Sequence, residues 1–94
     1  MLGEIILNER SLQGITPVLD EIETERERQI NKWGAQDHYP QMWYAILGEE
    51  FGEVGKEIAE SHVKEFDVAA YRKELIQVAA VAAAAIQCID NGVA

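Results

Sequence analysis

The sequence is poor in cysteine, in positive charge and in uninterrupted apolar stretches. Its one cysteine, Cys88, excludes an internal disulfide. Beside Ile86 and Ile89 it reads as a small hydrophobe suited to a reducing compartment. Neither Cys88 nor His62 has a partner at zinc-ligand spacing, so a zinc site is not expected. Eight Lys and Arg stand against seventeen Asp and Glu, a net charge of -9. That balance argues against unaided binding to nucleic acid or to an anionic membrane surface, and a phosphorylated ligand would have to arrive with a metal ion. The longest apolar run, Val78 to Ile86, is nine residues and mostly alanine, far short of a membrane span. With no signal peptide evident, the cytoplasm is the expected location. Repeats and low-complexity segments are also lacking. At 94 residues the chain is read as a single domain, 1–94, small enough that a second copy would help it bury surface.

What the sequence does contain is helical punctuation. Residues 1–14 are poorly patterned, with Gly3 and Gly14 bracketing Glu4-Ile5-Ile6-Leu7, and are left as an arm whose structure is open. Thr16-Pro17 predicts a helix start, with Thr16 as N-cap, Pro17 at the first helical position and Asp20 and Glu21 near the positive end of the dipole. This helix runs to about Trp33, where Gly34 ends it. Ala35 to Gln41 reads as a connecting loop. A second helix runs from about Gln41 to Ser61, and its Gly48, Gly52 and Gly55 suggest close backbone approach. After a turn around Lys64 to Asp67, a third helix reaches Asp90 and stops at Asn91-Gly92. Its small side chains, Val78-Ala79-Ala80-Val81-Ala82-Ala83-Ala84-Ala85, place it at the centre. The expected class is all-α: an antiparallel bundle of three main helices, completed by oligomerisation.

Polar residues interrupt the apolar faces at chosen points. On a wheel of about 100° per residue, Ile46, Trp43, Val54, Leu47, Ile58 and Phe51 fan from about -40° to +100° around Glu50, with Glu53 and Glu57 at the border. A plain reading makes these acids the solvated edge of an amphipathic helix. Glu74, however, falls among Val81, Ala85, Val78, Ile89 and Tyr71 on the third helix. A carboxylate there needs an Arg, a Lys or a metal ion, with Arg72 and Lys73 the structural alternatives. Gln77 follows one turn later. On the first helix, the stripe Ile15, Val18, Leu19, Ile22, Ile30 and Trp33 is broken by Arg26 and Gln29. Structural ion pairing is the favoured role for Arg26, while Arg28 and Lys32 on the flank can more easily reach a mobile phosphate tail. Five of the nine aromatic or imidazole side chains, Trp33, His38, Tyr39, Trp43 and Tyr44, lie within twelve residues. They can stack a nucleobase or form an aromatic mini-core.

Glu49-Glu50-x-x-Glu53, then after twenty residues Glu74-x-x-Gln77, resembles the MazG-like family of all-α nucleoside triphosphate pyrophosphohydrolases, whose pattern is Glu-x-x-Glu followed by Glu-x-x-Asp. Glu27-Arg28-Gln29-Ile30-Asn31-Lys32-Trp33-Gly34-x-Gln36, Trp43, and Leu47-Gly48-Glu49-Glu50-Phe51-Gly52-Glu53-Val54 extend the likeness to the compact, phage- and mobile-element-associated members. It covers about residues 20 to 90. The resemblance implies Mg²⁺ held by Glu50, Glu53, Glu74 and Gln77, with Glu49 or Glu53 activating water. It also implies release of pyrophosphate and a nucleoside monophosphate from a nucleoside triphosphate, and assembly as a homodimer or homotetramer. Arg28, Lys32, Trp33 and Trp43 are the substrate-binding candidates, and Lys56 can assist. Gln77 departs from the family's aspartate: it offers a carbonyl oxygen but no charge and no base. That substitution favours a second reading, a nucleotide- or metal-binding protein of the same fold with little or no turnover. A third, an acidic module imitating DNA charge, needs acids spread over an exposed face, unlike Glu50 and Glu74.

Overall fold

The computed structural model describes residues 11–92. The first ten residues of the unassigned arm lie outside that range. Within it the chain forms three helices, α1 (Ile15–Trp33), α2 (Pro40–Glu60) and α3 (Val68–Asp90), and no strand. The all-α class expected from the sequence is what the chain adopts.

The helix ends show which local signals decide. Gly34 takes φ 75 and returns its backbone N–H to Ile30 at 2.7 Å, a left-handed stop that glycine adopts without Cβ strain. Pro40 opens α2 rather than belonging to the loop, because its missing N–H falls among those that have no intrahelical partner anyway. Asp67 caps α3, its Oδ1 accepting from the Ala70 N–H at 2.9 Å. Thr16 is not an N-cap. Gly14, at φ 79 and ψ 8, precedes a helix that already begins at Ile15 and has no side-chain cap, so Thr16 lies inside the first turn.

Helix α3 is the spine. It packs against both α1 and α2, whereas the backbones of α1 and α2 do not approach one another. Partners whose numbers rise together, Glu21 with Arg72 and Arg26 with Gln87, make α1 and α3 parallel. Trp43 and Glu50, which lie near Val81 and Gln77 respectively, make α2 antiparallel to α3. The face of α3 that is covered carries Ala80, Val81, Ala84 and Cys88, joined only by Val54 of α2. Alanine keeps the spine narrow, so two helices reach it from different sides.

Two expectations need correction. The apolar fan of α2 is covered only over its half near Trp43 and Val54: Phe51 and Tyr44 remain 70% and 81% exposed, and Ile58 is half exposed. On α1, likewise, Leu19, Ile30 and Trp33 stay outside while the line Val18, Ile22, Glu25, Gln29 turns inward. Gly48, Gly52 and Gly55 do not mark close approach either. A side chain built on any of them meets nothing within 4 Å, because all three lie on the back of α2, about 140–200° from Glu50. Gly52→Ala should therefore raise unfolding free energy by about 0.5–1 kcal/mol. Ala80→Leu, at a fully buried position, should lower it by about 1–3 kcal/mol through overpacking. Urea titration followed by far-UV circular dichroism checks both.

Candidate functional site

Because α1 and α2 touch α3 but not each other, a groove of about 350 Å³ lies between them with α3 as its floor. Its walls are Arg26, Gln29 and Trp33 on one side and Trp43, Ile46, Glu49 and Glu50 on the other, over Gln77, Val81 and Ala84. A second cleft opens beside it, bordered by Glu25, Arg28, Glu50, Lys73, Glu74 and Gln77. Glu50 and Gln77 border both. The fold thus brings an aromatic groove and a carboxylate cleft into contact through these two side chains.

Glu50 lies in the covered half of the α2 fan and is half-buried, as is Glu74 on α3. Gln77 occupies a more central place than Glu74. It lies one and two turns before Val81 and Ala84 on the same stripe, at about -60° from Glu74 and in the middle of the covered face. Glu49 is exposed and borders the aromatic groove. Glu53 is exposed on the outer side of Glu50 and borders neither cavity. Among the described residues no Lys or Arg nitrogen pairs with Glu74, because Arg72 is held by Glu21 across the α1–α3 contact.

The cationic candidates are not free. Arg28 donates Nε and Nη2 to the two carboxylate oxygens of Glu25 at 2.8 and 2.7 Å. Lys32 stands 4.6 Å from the centre of the Trp33 ring, with the Arg28 guanidinium 6.0 Å from it. Arg26 forms no ion pair among the described residues. It donates Nε to Gln87 Oε1 at 2.9 Å and Nη1 to Gln29 Oε1 at 2.8 Å, so the expected carboxylate partner is replaced by two amides.

The aromatic cluster is only partly consolidated. Trp43 packs edge-on against His38, ring centres 4.9 Å apart, while Tyr39, Tyr44 and Trp33 are largely exposed. The buried indole N–H of Trp43 has no acceptor among the described residues, and a polar group so placed costs about 1–3 kcal/mol until something bonds to it. The loop under this cluster is tied to α3, with the Cys88 thiol 3.6 Å from the His38 carbonyl oxygen.

One residue escaped the sequence reading. Glu25 is 8% exposed and faces α3 beside Gln77, accepting hydrogen bonds from Arg28 and from Gln29 Nε2 at 3.2 Å. Its spacing from Ile22 and Gln29, three and four residues, was the available signal.

The two facing carboxylates differ electrostatically. Glu50 is pushed above the usual carboxylate range, first by its own desolvation and then by the negative charges of Glu74, Glu53, Glu25 and Glu49. Glu25 is held below that range, first by the Arg28 hydrogen bond, against the opposing effect of burial. Oxygen donors crowded by like charge are the chemistry a hard divalent cation relieves, and Glu50 and Glu74 bring such donors to the cleft with the Gln77 amide beside them. Among the described residues no three His, Cys, Asp or Glu side chains stand close enough to hold one as they are placed. No described helix is long and apolar enough to cross a membrane.

A carboxyl raised in the folded state costs stability as pH climbs through its unfolded value, and the cost is complete above its folded value. Without metal, Glu50→Gln should raise the melting temperature near pH 7 by roughly 2–5 °C, the shift that a fraction of a kcal/mol produces in a domain of this size. The gain should vanish toward about pH 4, where the unfolded carboxyl also holds its proton. Glu25 acts in reverse: its stabilisation is present above the unfolded value and lost as pH falls through the folded one. Thermal melts across this range read both. Comparison of the chain with family models, with curated proteins and with solved structures gives no match.

Proposed function

We propose that the chain is a Mg²⁺-dependent nucleoside triphosphate pyrophosphohydrolase similar to the MazG-like enzymes, acting on the cellular nucleotide pool. The observation that carries this reading is the junction of two cavities at Glu50 and Gln77. An acidic cleft that suits a cation adjoins a groove walled by Trp33 and Trp43 that suits a planar base. A strongly acidic protein holds a polyphosphate most readily through a metal ion.

In this reading Glu50, Glu53, Glu74 and Gln77 hold the ion. When bound, Mg²⁺ supplies charge neutralisation on the phosphate oxygens. The chain's own residues do the rest. Trp33 and Trp43 take the base between the groove walls, with the Gln36 side chain on the same groove as a polar partner. Arg28 and Lys32 flank the triphosphate. A carboxylate takes a proton from water as its oxygen attacks the α-phosphorus; the bond to the bridging oxygen breaks, and a nucleoside monophosphate and pyrophosphate leave. Glu49 borders the groove and Glu53 does not, so Glu49 has the better access for that proton. Gln77 cannot serve as base.

A second copy of the chain belongs to this proposal. Tyr44, Phe51 and Ile58 of α2 and Ile86 and Ile89 of α3 leave large apolar side chains in water, while only five apolar residues are buried among the described residues. A homodimer or homotetramer is the economical cover. The alternative, a nucleotide- or metal-binding protein without turnover, is favoured by Gln77 alone.

Purified protein incubated with Mg²⁺ and a panel of canonical and modified deoxynucleoside triphosphates should release pyrophosphate. Glu50→Gln should lower kcat/KM by about 100-fold or more. Binding without release for every nucleotide would leave the second reading in place. Light scattering coupled to size exclusion should give a mass of at least two chains.

A further inference from the structure

The side of the α2–α3 pair that faces away from the aromatic groove is apolar along its length. On α2, Tyr44, Phe51 and Ile58 recur every seven residues, and on α3 Val68, Leu75, Ala82 and Ile89 do the same. A seven-residue apolar repeat is the pattern by which helices pack lengthwise against other helices. No helix among the described residues covers these stripes. Helix α1 packs on another side of α3, where Arg72 and Gln87 bond to its Glu21 and Arg26.

The two stripes are in step. The Cys88 thiol lies 3.6 Å from the His38 carbonyl oxygen. From that contact the antiparallel helices pass each other at equal rise, which sets Tyr44 beside Ala82, Phe51 beside Leu75 and Ile58 beside Val68. Tyr44 and Ala82 border one apolar cleft of about 240 Å³, together with Leu47, Ala85 and Ile89. Trp43 and Val81 border this cleft and the aromatic groove as well, so Trp43 stands between the two.

Size and charge say what covers the face. The large apolar side chains of the two stripes, with Ile86 beside them, are 42–81% exposed. They leave roughly 700–900 Å² per copy in water, more than the few hundred Å² that a monomer commonly shows and close to the ~800 Å² per partner of a stable dimer. No charged side chain interrupts either stripe. A basic partner would be met by acids within the face, whereas two chains at -9 each approach most readily across a face that carries no charge.

We propose that a second copy of this chain covers the face, the two α2–α3 pairs stacking back to back with Phe51 and Leu75 at the middle of the seam. This rests on the oligomeric part of the reading above and needs no turnover. The partner closes the apolar cleft and packs the side of Trp43 that the groove does not use, so the tryptophan wall of the groove is complete only in the assembly.

The test is sedimentation velocity of the full chain over a wide range of concentration, at low and high salt, with circular dichroism confirming the fold. Wild type should dimerise, and more tightly at high salt, where the repulsion between two acidic chains is screened. Phe51→Glu and Ile86→Lys should each raise the dissociation constant by about a hundredfold or more, since a symmetric dimer carries each change twice. Both side chains are more than half exposed within one chain, so each variant should still fold. Leu19→Glu, at an exposed apolar position of α1 outside the face, should leave the constant unchanged. In a Trp33→Phe background Trp43 is the one tryptophan, and its emission should move to shorter wavelength as the dimer forms. Emission that stays fixed while the dimer forms would overturn the contact with Trp43. A dimer indifferent to Phe51→Glu and Ile86→Lys, one weakened equally by Leu19→Glu, or one lost at high salt would overturn the face. A wild type that is monomeric at every concentration would overturn the oligomeric reading with it, and pyrophosphate release, measured separately, decides the hydrolase reading.

Discussion

The close approach of two helices to the small-residue face of α3 is the contact on which the rest depends. Alanine side chains add little radius, so α1 and α2 each reach the spine without reaching one another. The groove is the space this leaves. Had the middle of α3 carried leucines, the walls would have been pushed out and the floor filled. The same narrowness limits the core, since alanine buries little apolar area. The site and the thin core therefore have one origin, and the exposed apolar faces of α2 and α3 are its other side.

Charge is arranged within that frame by contrast rather than by sign alone. Glu25 and Glu50 face the same cleft from α1 and α2, yet one is stabilised as an anion by an arginine fork and the other is crowded by acids. Ionisation is thus cheap at Glu25 and costly at Glu50. The Arg28 guanidinium that pairs with Glu25 also lies in the field of Glu50 without bonding to it.

The helices were legible in the sequence because their ends are marked by local chemistry: Gly34 at φ 75, Pro40, and the Asn91-Gly92 terminus. Thr16 misled because a capping residue is recognised by type while the cap itself is a backbone state, and Gly14 holds that state. Glu50, Glu74 and Gln77 were legible since each interrupts an apolar face. Which half of a face is covered was not, because Phe51 and Val54 look alike on a wheel and differ only in what stands opposite. Glu25 and Arg26 show the same limit from the polar side. The α3 residues that stand beside them, Gln77 and Gln87, are more than fifty residues away, and no periodicity within α1 encodes them.

The separation of α1 from α2 has one more consequence. Two walls that rest on a common floor and not on each other have their spacing gauged by that floor, so the groove behaves like the jaws of a caliper set by the thickness of α3. A change of one methyl at Ala84 alters the gap directly, without touching either tryptophan. The distance between Trp33 and Trp43 is in this sense written on the helix beneath them.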